Sequence, residues 1–120
     1  MTVCTERHVG TYTDTKESAL AMLDAVSSPQ FRTYYQPDQF SPEEESEALA
    51  IALSDWTVHI HAFQWRGGNR YPLARGKEAW KRLLSYFPGN TVLLEFMPDD
   101  RPESLMTEAQ TLKEILEAVQ

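Results

Sequence analysis

TVHIHA, residues 57–62, sets Val58, Ile60 and Ala62 against His59 and His61 at two-residue spacing. Side chains alternate across a strand, so the aliphatic residues line one face and both histidines the other. Two further short apolar runs end on a polar residue: VCTE closes on Glu6 and VLLE on Glu95. Turn residues and then a helix-like segment follow each run. Glu6, His61 and Glu95 are therefore expected to project from the carboxyl edge of one sheet, where parallel α/β proteins place their chemistry.

Outward from that strand, the chain reads as four strand-then-helix units in one α/β domain, residues 1–120. In the first, Thr2 to Glu6 predicts a strand, and Asp14 a helix start with Glu17 completing a capping box. Ala19, Leu20, Leu23 and Val26 form its apolar stripe. The second has a strand over Phe31 to Tyr35, then a helix capped by Ser41 with Pro42 in its first turn. Ala48, Leu49, Ala52 and Leu53 form its stripe, and Glu43 to Glu45 are expected to be a solvated first turn. In the third, a loop from Gln64 to Arg75 leads to a helix over Lys77 to Phe87 bearing Trp80, Leu83 and Leu84, stopped by Pro88-Gly89-Asn90. The fourth has a strand over Thr91 to Phe96, with Val92, Leu94 and Phe96 toward the helices. Its helix begins near Pro102, with Leu105, Ala109, Leu112, Leu116 and Val119 buried. Alternation of this kind implies parallel pairing through right-handed crossovers. Four units make a small open sheet or half of a (β/α)8 barrel.

The balance of 11 Lys and Arg against 18 Asp and Glu gives a net charge of -7, which disfavours nucleic acid, whose binding relies on basic patches. Cys4 is the only cysteine, so no internal disulfide or Cys-based zinc cluster forms, and a buried thiol in a reducing, cytoplasmic setting is expected. No apolar run approaches the roughly 18 residues of a membrane span, and the N-terminus lacks the order of a signal peptide.

In sequence, TERHVGTYTDTKESALAMLDAV, YYQPDQF, VHIHAFQW, PLARGKEAWKRLL and LLEFMPDDRPESLMTEAQTLKEIL resemble the C-terminal half of the xylose isomerase-like TIM barrels. More narrowly, they resemble the sugar phosphate isomerase/epimerase group. The resemblance implies that the chain is a half-barrel. The opposite wall would come from a second copy, a separate polypeptide or a preceding N-terminal half. It also implies a divalent metal, Mn2+ or Mg2+, held by Glu, Asp, His and Glu at the ends of strands five to eight. The matching positions here are Glu6, Gln36, His61 and Glu95. Gln36 departs from the aspartate of the family, and Gln39 stands where a histidine often follows. A glutamine carbonyl ligates a hard cation without charge, so metal binding should be weakened.

Such a site would polarise a sugar or sugar phosphate for proton removal next to its carbonyl, with redelivery through an enediolate. Glu6 and Glu95 would serve as acid and base as well as ligands. His8 and His59 would contact sugar hydroxyls, Trp65 would stack on the ring, and Arg66 would bind a sugar oxygen or phosphate. Plainer readings stand beside these. Glu95 would be a salt-bridged strand residue, Glu6 a helix-entry acid, His8 a loop residue, His59 and His61 satisfied histidines, Gln36 an interior hydrogen-bonding group, and Trp80 core. Abasic-site endonucleases share the barrel fold, but they gather more metal ligands and need a basic groove. A non-enzymatic half-barrel that binds a sugar or serves as a subunit is the remaining alternative.

Overall fold

The computed structural model describes residues 1–119. Strands β1 (Val3–Glu6), β2 (Phe31–Tyr35), β3 (Thr57–Ala62) and β6 (Thr91–Leu94) alternate with helices α1 (Lys16–Val26), α2 (Glu43–Leu53), α3 (Lys77–Leu84) and α4 (Leu105–Val119). A two-stranded hairpin, β4 (Trp65–Arg66) and β5 (Asn69–Arg70), follows β3. The four long-range strands form one parallel sheet in the order β1-β2-β3-β6, with β1 and β6 at opposite edges. Strands laid down in sequence through right-handed crossovers put every helix on the same side. Accordingly α1 packs on α2, α2 on α3 and α3 on α4.

Between helices and sheet lies the core. Tyr35, Ile60 and Ala62 from the sheet meet Leu23, Leu53, Leu83, Leu84 and Ile115 from the helices, all buried. The register pairs Glu6 with Tyr34, Tyr34 with His59 and His61 with Leu93, so these five side chains share the other face. Among the described residues no helix covers them, and Leu93 is 43% exposed. Among the described residues, no helix is long and apolar enough to cross a membrane.

Several local expectations shift. The N-cap of α1 is Thr15, not Asp14, and the box closes through Ser18, whose N–H donates to Thr15 Oγ1 at 3.1 Å while Thr15 N–H donates to Ser18 Oγ at 3.2 Å. The Asp14 carbonyl is held outside the helix by the Arg7 guanidinium. Pro42 rather than Ser41 occupies the N-cap of α2, because the Ser41 hydroxyl donates to Asp38 at 3.1 Å. Ser46 and Ala50 are buried in place of Ala48 and Ala52. Helix α3 ends at Leu84, although Phe87 remains in the core beyond it. In α4 the buried positions are Glu108, Leu112 and Ile115, and Leu105 is exposed. Glu108 is accommodated because its carboxylate accepts the N–H of Leu73 at 2.8 Å, a donor that the start of the 3-10 turn Leu73–Gly76 leaves free. Cys4 is half-buried rather than enclosed. Trp80 is core as expected, with its indole N–H donating to the Phe63 carbonyl at 3.0 Å.

Candidate metal and proton-transfer site

Glu6 ends β1, Gln36 follows β2, His61 lies one residue from the end of β3, and Glu95 follows β6. Parallel pairing brings these four positions to the carboxyl edge of the sheet. Glu6, His61 and Glu95 each offer a ligand atom within 4.8 Å of the others. His61 Nδ1 is the hub, lying 3.1 Å from Gln36 Oε1, 3.5 Å from Glu95 Oε1 and 3.6 Å from Glu6 Oε1. The nitrogen carries at most one hydrogen for three oxygens, and only the Gln36 distance is that of a hydrogen bond. Two carboxylates are left facing each other with partial compensation, an arrangement that a cation relieves.

The two acids differ in setting. The side chain of Glu95 is 24% exposed and that of Glu6 is 42% exposed. Burial pushes the Glu95 carboxyl above the usual glutamate range; the charge of His61 opposes the rise and that of Glu6 adds to it. Its Oε2 is buried without a partner. The backbone N–H of Glu95 donates to the Ala62 carbonyl at 3.2 Å, continuing the ladder one residue past β6 and fixing the side chain over the sheet edge.

The other predicted residues divide. His59 is on the same face as His61, and both imidazoles pack edge-on against the Tyr34 ring, at centroid distances of 5.1 and 4.9 Å. The Nδ1 of His59 is buried and unpartnered. His8 is exposed on the loop after β1, with Nδ1 2.7 Å from the Val9 carbonyl, and its charge reaches Glu95. Trp65 does not stand free for stacking: Phe96 lies edge-on at 5.0 Å and the Arg70 guanidinium sits 5.6 Å from its ring centroid. Phe96 thus packs with Phe63 and Trp65 instead of facing the helices. Arg66 is engaged by Glu43 of α2 at 3.4 Å and by no member of the cluster. That contact, with Arg82 also on Glu43 at 3.3 Å, gives the first turn of α2 partners from the third unit.

Two residues beside the site, Tyr34 and Arg70, were not among those expected. Tyr34 was legible from the alternation of FRTYY, which puts it in phase with the histidines once β2 and β3 are paired. Arg70 forks onto Asp100 and covers both Trp65 and Phe96, tying the hairpin to the loop after β6. Its signal was the Gly67-Gly68 pair, a hairpin turn within the expected loop.

Compared with family models, curated proteins and solved structures, the chain has no match. Its class rests on fold and site: an α/β protein with a sequentially ordered parallel sheet and a polar cluster on the uncovered face.

Proposed function

We propose that this chain supplies four of the eight units of a (β/α)8 barrel of the xylose isomerase-like class. Its open face would carry out sugar or sugar phosphate isomerisation or epimerisation. The observation that carries this reading is the convergence of oxygens from Glu6, Gln36 and Glu95 on His61 Nδ1. Sequential strand order with all helices on one side supports it, since a barrel wall has this construction. A second copy of this chain, or a separate N-terminal half-barrel, provides the opposite wall.

Carboxylate, carboxamide and imidazole donors suit a hard divalent cation, and the orphaned Glu95 Oε2 fits one. Glu6, His61 and Glu95 would hold Mn2+ or Mg2+, with Gln36 as a neutral fourth donor. When bound, the cation supplies Lewis-acid polarisation of sugar oxygens. The carboxylates move the protons. Glu6, the more exposed, removes the proton from the carbon beside the carbonyl. Glu95, the less exposed, delivers a proton to the carbonyl oxygen. Delivery of the proton held by Glu6 to the former carbonyl carbon, with loss of the adjacent hydroxyl proton to Glu95, gives the isomer; delivery of a proton to the opposite face of the original carbon, with loss of the new hydroxyl proton to Glu95, gives the epimer. His59 and His8 meet sugar hydroxyls from the open face.

One observation favours a second reading, a sugar-binding half-barrel without catalysis: Gln36 stands where a third carboxylate would complete the charge of the donor set. Both readings are tested by incubating the protein with Mn2+ and a panel of aldoses, ketoses and their phosphates in D2O. Mn2+-dependent deuterium at the carbon beside the carbonyl, lost in Glu6→Gln, is the expected result. Binding at His61 without exchange would establish the non-catalytic reading, and absence of both would refute the two together. Native mass spectrometry with Mn2+ reads the barrel directly, with a two-chain mass expected if copies of this chain close it.

A further inference from the structure

We propose that the hairpin β4–β5 is a strap across the carboxyl edge of the sheet and that Arg70 is its positioning residue, holding the loops that carry Glu95 and Gln36 in place about His61, an inference that rests on the open-face reading of those side chains. Arg70 acts on them through the backbone rather than by contact.

At one end the strap grips the loop after β6. The Arg70 guanidinium forks onto the Asp100 carboxylate, and its Nη1 also donates to the Met97 carbonyl at 3.4 Å. It lies 5.7 Å from the Phe96 ring centroid and 5.6 Å from that of Trp65, its cross-strand partner in the hairpin. Phe96 and Met97 directly follow Glu95, so one side chain fixes the exit of the strand end that bears the carboxylate. Asp100 supports the same reading. Its φ of 56° lies in the left-handed region, which residues with a side chain rarely enter and hold only where surrounding contacts impose it. The contacts here are the fork to Arg70 and a brace beside it, in which Asp99 accepts the Arg101 N–H at 3.1 Å and the Ser104 hydroxyl at 2.8 Å.

The other end grips the loop after β2. Gly67, at the hairpin tip, donates its N–H to the carbonyl of Gln39, in the loop that begins with Gln36, at 2.9 Å. The Tyr71 N–H donates to the Gln64 carbonyl at 2.7 Å and closes the hairpin base, so the strap moves as one unit. Gln36 and Glu95 flank His61, at 3.1 and 3.5 Å from its Nδ1, on the two loops that the strap joins. The Arg70–Asp100 pair is partly exposed, and such pairs add little to global stability. Its loss therefore loosens the donors without unfolding the sheet.

The test is native-state hydrogen exchange of the metal-free wild type, Arg70→Met and Asp100→Asn. Three backbone N–H groups are read: Glu95 at one end of the strap, Gly67 at the other, and Ile60 in the middle of the sheet as reference. Asparagine tolerates the left-handed backbone of Asp100 while removing the charge, so it serves even if Arg70→Met does not fold. Exchange at Glu95 and Gly67 should rise at least about threefold relative to Ile60. A merely structural role raises all three alike, and that result would overturn the proposal, as would a rise at one end only or at neither. Mn2+ titration of the same proteins separates the strap from the cation reading. Binding weakened by a similar factor in the variants is expected, and a wild type that binds Mn2+ no better than they do would overturn the proposal. A wild type that binds no Mn2+ would refute the cation reading alone, since a selective rise at both ends of the strap still upholds the role of Arg70.

Discussion

On one side of the sheet Tyr35, Ile60 and Ala62 are wholly covered by helices; on the other, Leu93 is 43% exposed and near two histidines and two glutamates. The same four strands build both faces, one residue out of phase. The covered face buys stability through apolar burial. The open face holds groups that this burial would neutralise, among them the Glu95 carboxylate with an unmatched oxygen and the His59 imidazole with an unpartnered nitrogen. Substitutions of similar size on the two faces should therefore behave differently.

The sharpest contrast is Ile60→Ala against Leu93→Ala. The first should lower unfolding free energy by about 2–5 kcal/mol in urea titrations and the second, at dilutions where the chain is a single copy, by under about 1 kcal/mol. Equal losses would mean that the open face is covered in solution, as a closed barrel would require. Next is Glu108→Ala, which leaves the Leu73 N–H without its acceptor in the core and should cost about 1–3 kcal/mol by the same measurement.

On the open face, Gln36→Asp adds a charge to the donor set and should tighten Mn2+ binding at least about tenfold by calorimetry. No gain would place Gln36 outside the set. The smallest effect is one of pH. A carboxyl raised by folding binds its proton more readily in the native state, so Glu95 favours the fold below the ordinary glutamate value. That preference is lost as pH rises through the window just above it. In metal-free protein, Glu95→Gln should flatten the stability profile across that window and be the more stable form at neutral pH, as read by urea midpoints.

Alternation made most of the architecture legible: TVHIHA, VCTE and VLLE each assign a face by parity, and parallel pairing then brings their ends together. What stayed hidden depends on partners far along the chain. Glu108 reads as a polar interruption of the α4 stripe until Leu73 supplies its hydrogen bond. Arg66 reads as a free cation until Glu43, 23 residues earlier, is folded beside it.

A cation held beside His61 Nδ1 at the open edge would be read by calorimetric titration of Mn2+ into wild type and His61→Ala, each checked for fold by circular dichroism. One equivalent bound by the wild type and lost in the variant is the predicted result. Equal binding by both, or none by either while both remain folded, would contradict it.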